Sequence, residues 1–183
     1  GMGKTMVPFV CNICGMWGIR IIGTFLCTQA AVKVMKEKKY GRIINISAVG
    51  QVGYRGQANY GSAKAGVISL TRVIAAEYTW CGITANCIMP GPIKTPMAVG
   101  AMQGRWEEII SQQMPMGHVG DPSDIAYMVK VFAAEEASYV TAQTIAVDGG
   151  YDLIHCHGAR GNMMGALLSR STGLPVIKSA LPE

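Results

Sequence analysis

Hydrophobic and polar residues alternate along this chain with two different periods, and the changes of period predict an alternation of strands and helices. Apolar positions at helical spacing predict helices over about 21–38 and 58–80. Short runs rich in Ile and Val predict buried strands at 42–46, 83–89 and 143–147. Because strand and helix alternate, the pattern indicates an α/β domain with a parallel sheet.

Individual residues and local composition predict further elements. Asp121 followed by Pro122 and the acidic Asp124 predicts a helix that begins there and runs to about residue 134. An apolar run at 7–14 predicts another strand. Residues 92–120 are rich in Gly, Pro and Met and predict a loop over a site, with one short helix near 106–112.

The two long helices should each bury one apolar face. In the first helix the predicted packing stripe consists of Phe25, Leu26, Ala30 and Met35. In the second helix the predicted core positions are Val67, Leu70 and Ile74. These stripes predict which side of each helix packs on the sheet.

Composition and charge narrow the class of protein. The 183 residues are half hydrophobic and only 15% charged, which predicts one folded domain with a real core and argues against disorder. The net charge of +5 is small. Cations are favoured at a helix C-terminus, and the most concentrated lysines lie near the end of the first helix, at Lys33, Lys36, Lys38 and Lys39. We interpret them as a solvated helix end and expect no nucleic-acid partner.

Nothing in the pattern predicts insertion into a membrane or export. Arg20 and Lys33 interrupt the most hydrophobic stretch before it reaches the length of a membrane span, and the first residues lack the pattern of a signal peptide. The six cysteines are scattered among apolar neighbours, as expected of thiols in a reducing compartment. We therefore expect a cytoplasmic protein with no membrane partner.

The most specific chemistry lies in Ser47, Tyr60 and Lys64. Tyr60 and Lys64 are four residues apart near the start of a predicted helix, so both side chains lie on one face. An ammonium beside a phenol favours its ionised form, and a hydroxyl from Ser47 could hold a substrate oxygen while Tyr60 moves its proton. Such a trio suits oxidation of an alcohol or reduction of a carbonyl. Each of these residues taken singly also has a structural interpretation. Ser47 could cap a turn at the end of a strand, Tyr60 could be an amphipathic aromatic residue at a helix start, and Lys64 could be a solvated lysine.

These residues, in this order and at this spacing, resemble the short-chain dehydrogenase/reductase family, in which a serine precedes Tyr-x-x-x-Lys. The resemblance runs from about 23 to 151 and includes Pro-Gly-Pro-Ile-Lys-Thr at 90–95 and Val-Asp-Gly-Gly at 147–150. It implies a Rossmann-like doubly wound parallel sheet and an NAD- or NADP-dependent interconversion of an alcohol and a carbonyl in a small molecule. The sequence around Tyr60 is similar to that of ketoreductases and, equally, to that of polyol or sugar dehydrogenases. Family members form homo-oligomers, so a dimer or tetramer is expected.

The resemblance also implies a role for each site residue. Ser47 would hold the substrate oxygen, Tyr60 would be the general acid/base, and Lys64 would favour the phenolate and bind the nicotinamide ribose. The implied cofactor-binding residues are Tyr60, Lys64, Pro90, Gly91, Ile93 and Thr95. Of these, Ile93 and Thr95 would contact the carboxamide of the nicotinamide. A plain Pro-Gly turn would explain Pro90 and Gly91 as well.

Two departures from the family pattern leave a second hypothesis open. No strand–glycine turn–helix unit precedes residue 23, which indicates that the N-terminal glycine-rich half of the fold is missing. The resemblance implies an asparagine three positions before Gly23 that holds a water relaying protons to the lysine, and this chain has Arg20 there. We therefore divide the chain into a partial Rossmann-like domain at 1–152 and an unfamiliar tail at 153–183. The alternative function is a truncated, non-catalytic homologue that acts as an oligomerisation or binding module.

Two weaker motifs do not change this interpretation. Gly3-Lys4-Thr5 lacks the upstream glycine and the following helix of a P-loop. Cys11 and Cys14, with the His-Cys-His sequence at 155–157, lack the spacing of a metal site. We therefore expect no metal.

Overall fold

The computed structural model describes residues 18–52, 57–102, 114–151, 154–157 and 176–179, with side chains described at 21–50, 57–100 and 114–151. The strand predicted at 7–14, the helix predicted near 106–112 and the side chain of Arg20 lie outside this part. So do Gly3 to Thr5 and the two cysteines of the Cys-x-x-Cys sequence.

The described elements follow the predicted alternation of helix and strand. In chain order they are α1 (Gly18–Lys38), β1 (Gly41–Ile46), α2 (Ala58–Tyr78), β2 (Ile83–Pro90), α3 (Pro96–Met102), α4 (Pro122–Ala133), β3 (Thr144–Val147), β4 (Ile154–His157) and β5 (Val176–Ser179). Short 3-10 turns follow β1, α2 and α4. The sequence did not predict α3, β4 or β5. The other helices and strands lie where the pattern placed them, within a few residues.

Strands β1, β2 and β3 form one parallel sheet with β2 in the centre. Gly41 pairs with Ile83 at the start of the β1–β2 ladder, and Pro90 pairs with Val147 at the end of the β2–β3 ladder. Parallel neighbours need a crossover between them, and α2 makes the first crossover, while α3 and α4 lie within the second. The predicted parallel α/β sheet is confirmed.

Helices α1 and α2 cover one face of the sheet. The core there joins both helices to the sheet, because Val32 of α1, Ile74 of α2 and the strand residues Ile43 and Ile83 are buried in one cluster. Val67 and Ile68 of α2 form a second cluster with Cys87 of β2. The predicted core positions Val67 and Ile74 are buried, and Leu70 packs against the first cluster.

Helix α4 covers the opposite face. Its Phe132 is buried, and the Nε atom of Arg42, which points away from α1 and α2, donates to the carbonyl of Ala134 just beyond the helix at 3.4 Å. The helix begins with a capping box in which the Asp124 carboxylate accepts from the Asp121 amide at 2.7 Å. The sheet therefore has helices on both faces, as a doubly wound fold requires.

The packing stripe predicted for α1 is wrong in most of its positions. Phe25 and Leu26 are about half exposed and Ala30 is exposed, whereas Thr28 and Val32 are buried and Met35 packs beside them. Thr28, Val32 and Met35 follow helical spacing just as well. The prediction selected the face of α1 with the larger apolar residues, and in the structure that face points away from the sheet.

Strands β4 and β5 form a separate two-stranded parallel sheet in the unfamiliar tail. Ile154 pairs with Val176 and His157 pairs with Ser179. The division of the chain after residue 152 stays a prediction. Among the helices of the described ranges, none is both long and apolar enough to cross a membrane.

Asn86 of β2 should contribute strongly to stability. Its fully buried amide donates to the Val140 carbonyl at 2.8 Å and accepts from the Gln143 amide at 3.0 Å, so it fastens the turn that precedes β3. We expect Asn86→Ala to lower the free energy of unfolding by about 2–4 kcal/mol, because two backbone groups lose their partners. Urea denaturation measures this change.

A matched control lies in the same strand. The hydroxyl of Thr84 is buried without a hydrogen-bond partner among the described residues. Thr84→Val should therefore leave stability unchanged or raise it slightly. Equal losses in both variants would contradict the specific role of the Asn86 amide.

Candidate active site

The predicted site residues collect at the carboxyl ends of the parallel strands. Ser47 directly follows β1, the turn at 90–95 follows β2, and Asp148 follows β3. The Ser47 amide donates to the Ile88 carbonyl of β2 at 2.8 Å, which extends the ladder to the edge of the sheet. This edge is where open α/β sheets bind their ligands.

Two hydrogen bonds, one donated by Ser47 and one donated by Lys64, connect the end of β1 to the second turn of α2. The Ser47 hydroxyl donates to the Lys64 carbonyl at 2.8 Å, and the Lys64 Nζ atom donates to the Ile46 carbonyl at 2.9 Å. Ser47 is only 2% exposed, and Lys64 is half-buried. The two side chains thus hold the start of the helix against the end of the strand.

Tyr60 lies on the same face of α2 as Lys64. The Lys64 Nζ atom is 5.9 Å from the centre of the Tyr60 ring, and the ring is half-buried. The amide of Tyr60 is bonded to the Asn59 side chain at 2.8 Å, within the first turn of the helix. The structure therefore brings Ser47, Tyr60 and Lys64 together, with a cation beside the phenol and a hydroxyl on the adjoining strand end.

Strand β3 anchors the first half of the turn at 90–95. The Gly91 amide donates to the Val147 carbonyl at 3.0 Å. A Cβ atom at Gly91 would lie 2.6 Å from the Asp148 Cα atom, so a larger residue would force the turn away from β3. Gly91 therefore has a structural reason to be glycine.

The backbone of Ile93 is presented at this edge by Gly120. The Pro92 carbonyl accepts from the Gly120 amide at 3.0 Å, and the Lys94 amide donates to the Gly120 carbonyl at 2.8 Å. In such a parallel bridge the central residue turns its own amide and carbonyl to the other side. Ile93 thus presents one donor and one acceptor away from Gly120.

Thr95 has a structural contact that the sequence did not reveal. Its hydroxyl accepts from the Ala98 amide at 3.2 Å, so it caps the short helix α3. This contact accounts for a threonine at the end of the turn without a ligand. A cofactor-binding role for Thr95 stays a prediction.

Three buried residues beneath Ser47 were missed by the sequence reasoning. Asn45 of β1 donates from Nδ2 to the Thr71 hydroxyl of α2 at 2.8 Å, and both residues are buried. Burial raises the pKa of the neighbouring Cys87 thiol, against the opposing effects of the Ser47 backbone, the Thr71 hydroxyl and the charge of Lys64. The sequence signal for these residues was the presence of polar side chains at positions that strand and helix periodicity assign to the core.

A cavity of about 770 Å³ lies between α4 and β3 and reaches Ile93, but Ser47, Tyr60 and Lys64 do not line it. Within the described side chains there is no cluster of three His, Cys, Asp or Glu residues that could hold a metal ion.

A parallel sheet flanked on both faces by helices, with this trio at its carboxyl edge, defines a Rossmann-like α/β protein. The model of a protein family described as enoyl-(acyl carrier protein) reductase matches residues 15–152. The chain belongs to the short-chain dehydrogenase/reductase family, as the Ser–Tyr–Lys pattern predicted.

Curated relatives and solved structures agree with this assignment. The chain is 44% identical over 133 residues to 3-oxoacyl-(acyl-carrier-protein) reductase FabG of Rickettsia prowazekii, which covers 72% of the chain and 55% of that relative. It is 44% identical over 134 residues to human (3R)-3-hydroxyacyl-CoA dehydrogenase, covering 72% of the chain and 51% of the relative. A structure of ElxO with NADP bound superposes with a TM-score of 0.68 at 33% identity, covering 72% of the chain and 54% of ElxO. The chain spans about half the length of the curated relatives it matches.

The buried Cys87 thiol should make stability depend on alkaline pH. Its pKa is raised in the folded protein, so the unfolded chain loses the thiol proton first and binds fewer protons as the pH rises above about 8.5. The free energy of unfolding of the wild type should therefore fall relative to Cys87→Ala, by at most about 1.4 kcal/mol per pH unit. Urea denaturation of both proteins between pH 7 and pH 10 measures it, and a constant difference would contradict the raised pKa.

Proposed function

We propose that this chain takes part in NAD- or NADP-dependent interconversion of an alcohol and a carbonyl by hydride transfer. The observation that carries the proposal is the contact of Ser47 and Lys64 at the strand edge, with Tyr60 beside the ammonium. Membership in a family of oxidoreductases supports it. Because two relatives are named for 3-oxoacyl and 3-hydroxyacyl thioesters, these are the first substrates to assay, before polyols and sugars.

Each residue of the trio has one task in carbonyl reduction. Ser47 donates a hydrogen bond to the carbonyl oxygen and fixes it, which requires its hydroxyl to turn from the Lys64 carbonyl that it contacts here. Tyr60 gives its phenolic proton to that oxygen as the carbon accepts a hydride. The Lys64 ammonium stabilises the phenolate that remains. In the oxidation direction the same groups act in reverse.

The turn after β2 fits the nicotinamide end of the cofactor. The amide and carbonyl of Ile93 point away from Gly120 and match the acceptor and donors of a carboxamide. When bound, a reduced nicotinamide supplies the hydride. Lys64 would also bind the ribose, while Pro90 and Gly91 shape the turn and Thr95 holds its far end.

An association of copies through α1 and α2 fits the apolar side chains that these helices expose. Ile22, Phe25 and Leu26 of α1 are each about half exposed, and so is Val73 of α2. Faces of this kind favour burial against another surface. We therefore propose that copies associate as a dimer or a tetramer, and the scattered cysteines support action in the cytoplasm.

Binding of the nicotinamide cofactor is the first prediction of this proposal. Titration of the purified chain into NADH and into NADPH, followed by nicotinamide fluorescence, should give saturable binding with at least one of them. The absence of saturation with both would refute the enzymatic function for this chain. That outcome would favour the alternative, a non-catalytic oligomerisation or binding module.

Tyr60→Phe should abolish turnover because it removes the proton that the carbonyl oxygen needs. We expect a fall in kcat of at least about 100-fold, the usual contribution of a general acid, and a smaller loss of affinity for NADH or NADPH, because Lys64 and Ile93 would also hold the cofactor. Steady-state assays on a 3-oxoacyl thioester, with cofactor titration beside them, separate the two effects. Tyr78→Phe is a control on the same helix and should retain activity. Equal rates in Tyr60→Phe and wild type would refute the assigned acid.

A further inference from the structure

Residues outside the trio tie helix α2 to strand β1. The Asn45 Nδ2 atom donates to the Thr71 hydroxyl at 2.8 Å, and that hydroxyl donates to the Val67 carbonyl at 2.8 Å. Thr71 is fully buried and Asn45 is 8% exposed. The hydroxyl thus both accepts and donates in a site that water does not reach.

The position of this tie relates it directly to the trio. Asn45 lies two residues before Ser47, so both side chains leave the strand toward α2. Thr71 lies two helical turns after Lys64 on the same side of α2, roughly 10 Å along the axis. The Asn45–Thr71 bond and the Ser47–Lys64 bond are therefore successive cross-links between the same strand and the same helix.

The other hydrogen bonds described between α2 and β1 both involve Lys64, and apolar contacts lie beside Thr71 farther along the helix. Val67 and Ile68 pack against Cys87, and such packing restricts sliding and rotation of a helix less sharply than a buried hydrogen bond with fixed geometry. Displacement of a reacting group by about 1 Å can reduce a rate about 100-fold. The Asn45–Thr71 bond adds a directional cross-link two helical turns from Lys64, which restricts rotation and sliding of α2 beyond what the two bonds at Lys64 provide.

We propose that Thr71, through its hydrogen bond with Asn45, is a positioning residue that sets helix α2 on strand β1 and thereby holds Lys64 against Ser47. Its catalytic consequence rests on the proposed function, whereas the structural tie itself does not. The side chain touches neither substrate nor cofactor in this role. It acts through the helix that carries Tyr60 and Lys64.

A labelling experiment tests the tie without reference to activity. Cys87 is fully buried against Val67 and Ile68 of α2, and its thiol donates to the Ile88 carbonyl at 3.8 Å. Alkylation by N-ethylmaleimide requires α2 to open from the sheet, and mass spectrometry of the Cys87 peptide measures its rate. Thr71→Val keeps the shape and removes the hydroxyl, so the rate should rise roughly tenfold. Thr71→Ser keeps the hydroxyl and should stay near the wild-type rate.

Ile74→Val is the matched control for a general loss of stability. Ile74 is buried on the same helix in the cluster that contains Cys81, so this variant should speed labelling of Cys81 more than that of Cys87. Equal labelling of Cys87 in Thr71→Val and Ile74→Val would overturn the proposal. If Thr71→Val does not fold, Asn45→Ala removes the same bond from the strand side and is measured in the same way.

Kinetic measurements then distinguish a role of Thr71 in positioning Lys64 from a role in protein stability alone. Thr71→Val should lower kcat roughly 10- to 100-fold with KM within about twofold, and Thr71→Ser should restore most of kcat. A lower melting temperature with unchanged kcat would overturn the positioning role. If the wild type binds neither NADH nor NADPH and shows no turnover, the proposed function fails, while Cys87 labelling still decides whether the tie exists.

Discussion

The parallel register of β2 against both of its neighbours fixes where the candidate functional groups at the strand ends lie. Strand β2 bonds to β1 on one side and to β3 on the other, and its middle residues are completely buried. Because all three strands run in one direction, their carboxyl ends meet at one edge. Ser47, the turn at 90–95 and Asp148 all follow from that arrangement, although they are far apart in sequence.

Helix α2 adds the second constraint, because it brings a cation and a phenol to that edge. A helix on a sheet is held mainly by apolar burial, which does not specify its rotation closely. In this chain hydrogen bonds run across the junction, from Ser47 and Asn45 to the helix and from Lys64 back to the strand. The polar residues under the site therefore supply the specificity that the apolar core lacks.

Much of the fold could be predicted from periodicity, and the trio from its spacing. The helix over Ala58–Tyr78 and the three main strands are regular and strongly patterned. The face of α1 could not be predicted, because Phe25 and Leu26 are as hydrophobic as core residues and only packing shows that they face outward. The cap formed by Thr95 and the pairing of β4 with β5 depend on contacts that sequence spacing does not specify.

The contacts described for Ser47, Tyr60 and Lys64 specify one part of the proposed site. Ser47, Tyr60 and Lys64 are held by β1, β2 and α2, all of which lie within the described residues. In a doubly wound fold the dinucleotide phosphates bind at a glycine-rich turn of the first half, and this chain spans about half the length of its relatives. The hydrogen bonds described for the trio specify the placement of these three side chains and not the binding of phosphates. In the proposed function Tyr60 and Lys64 also bind the nicotinamide end of the cofactor, so helix α2 would link proton transfer to cofactor binding.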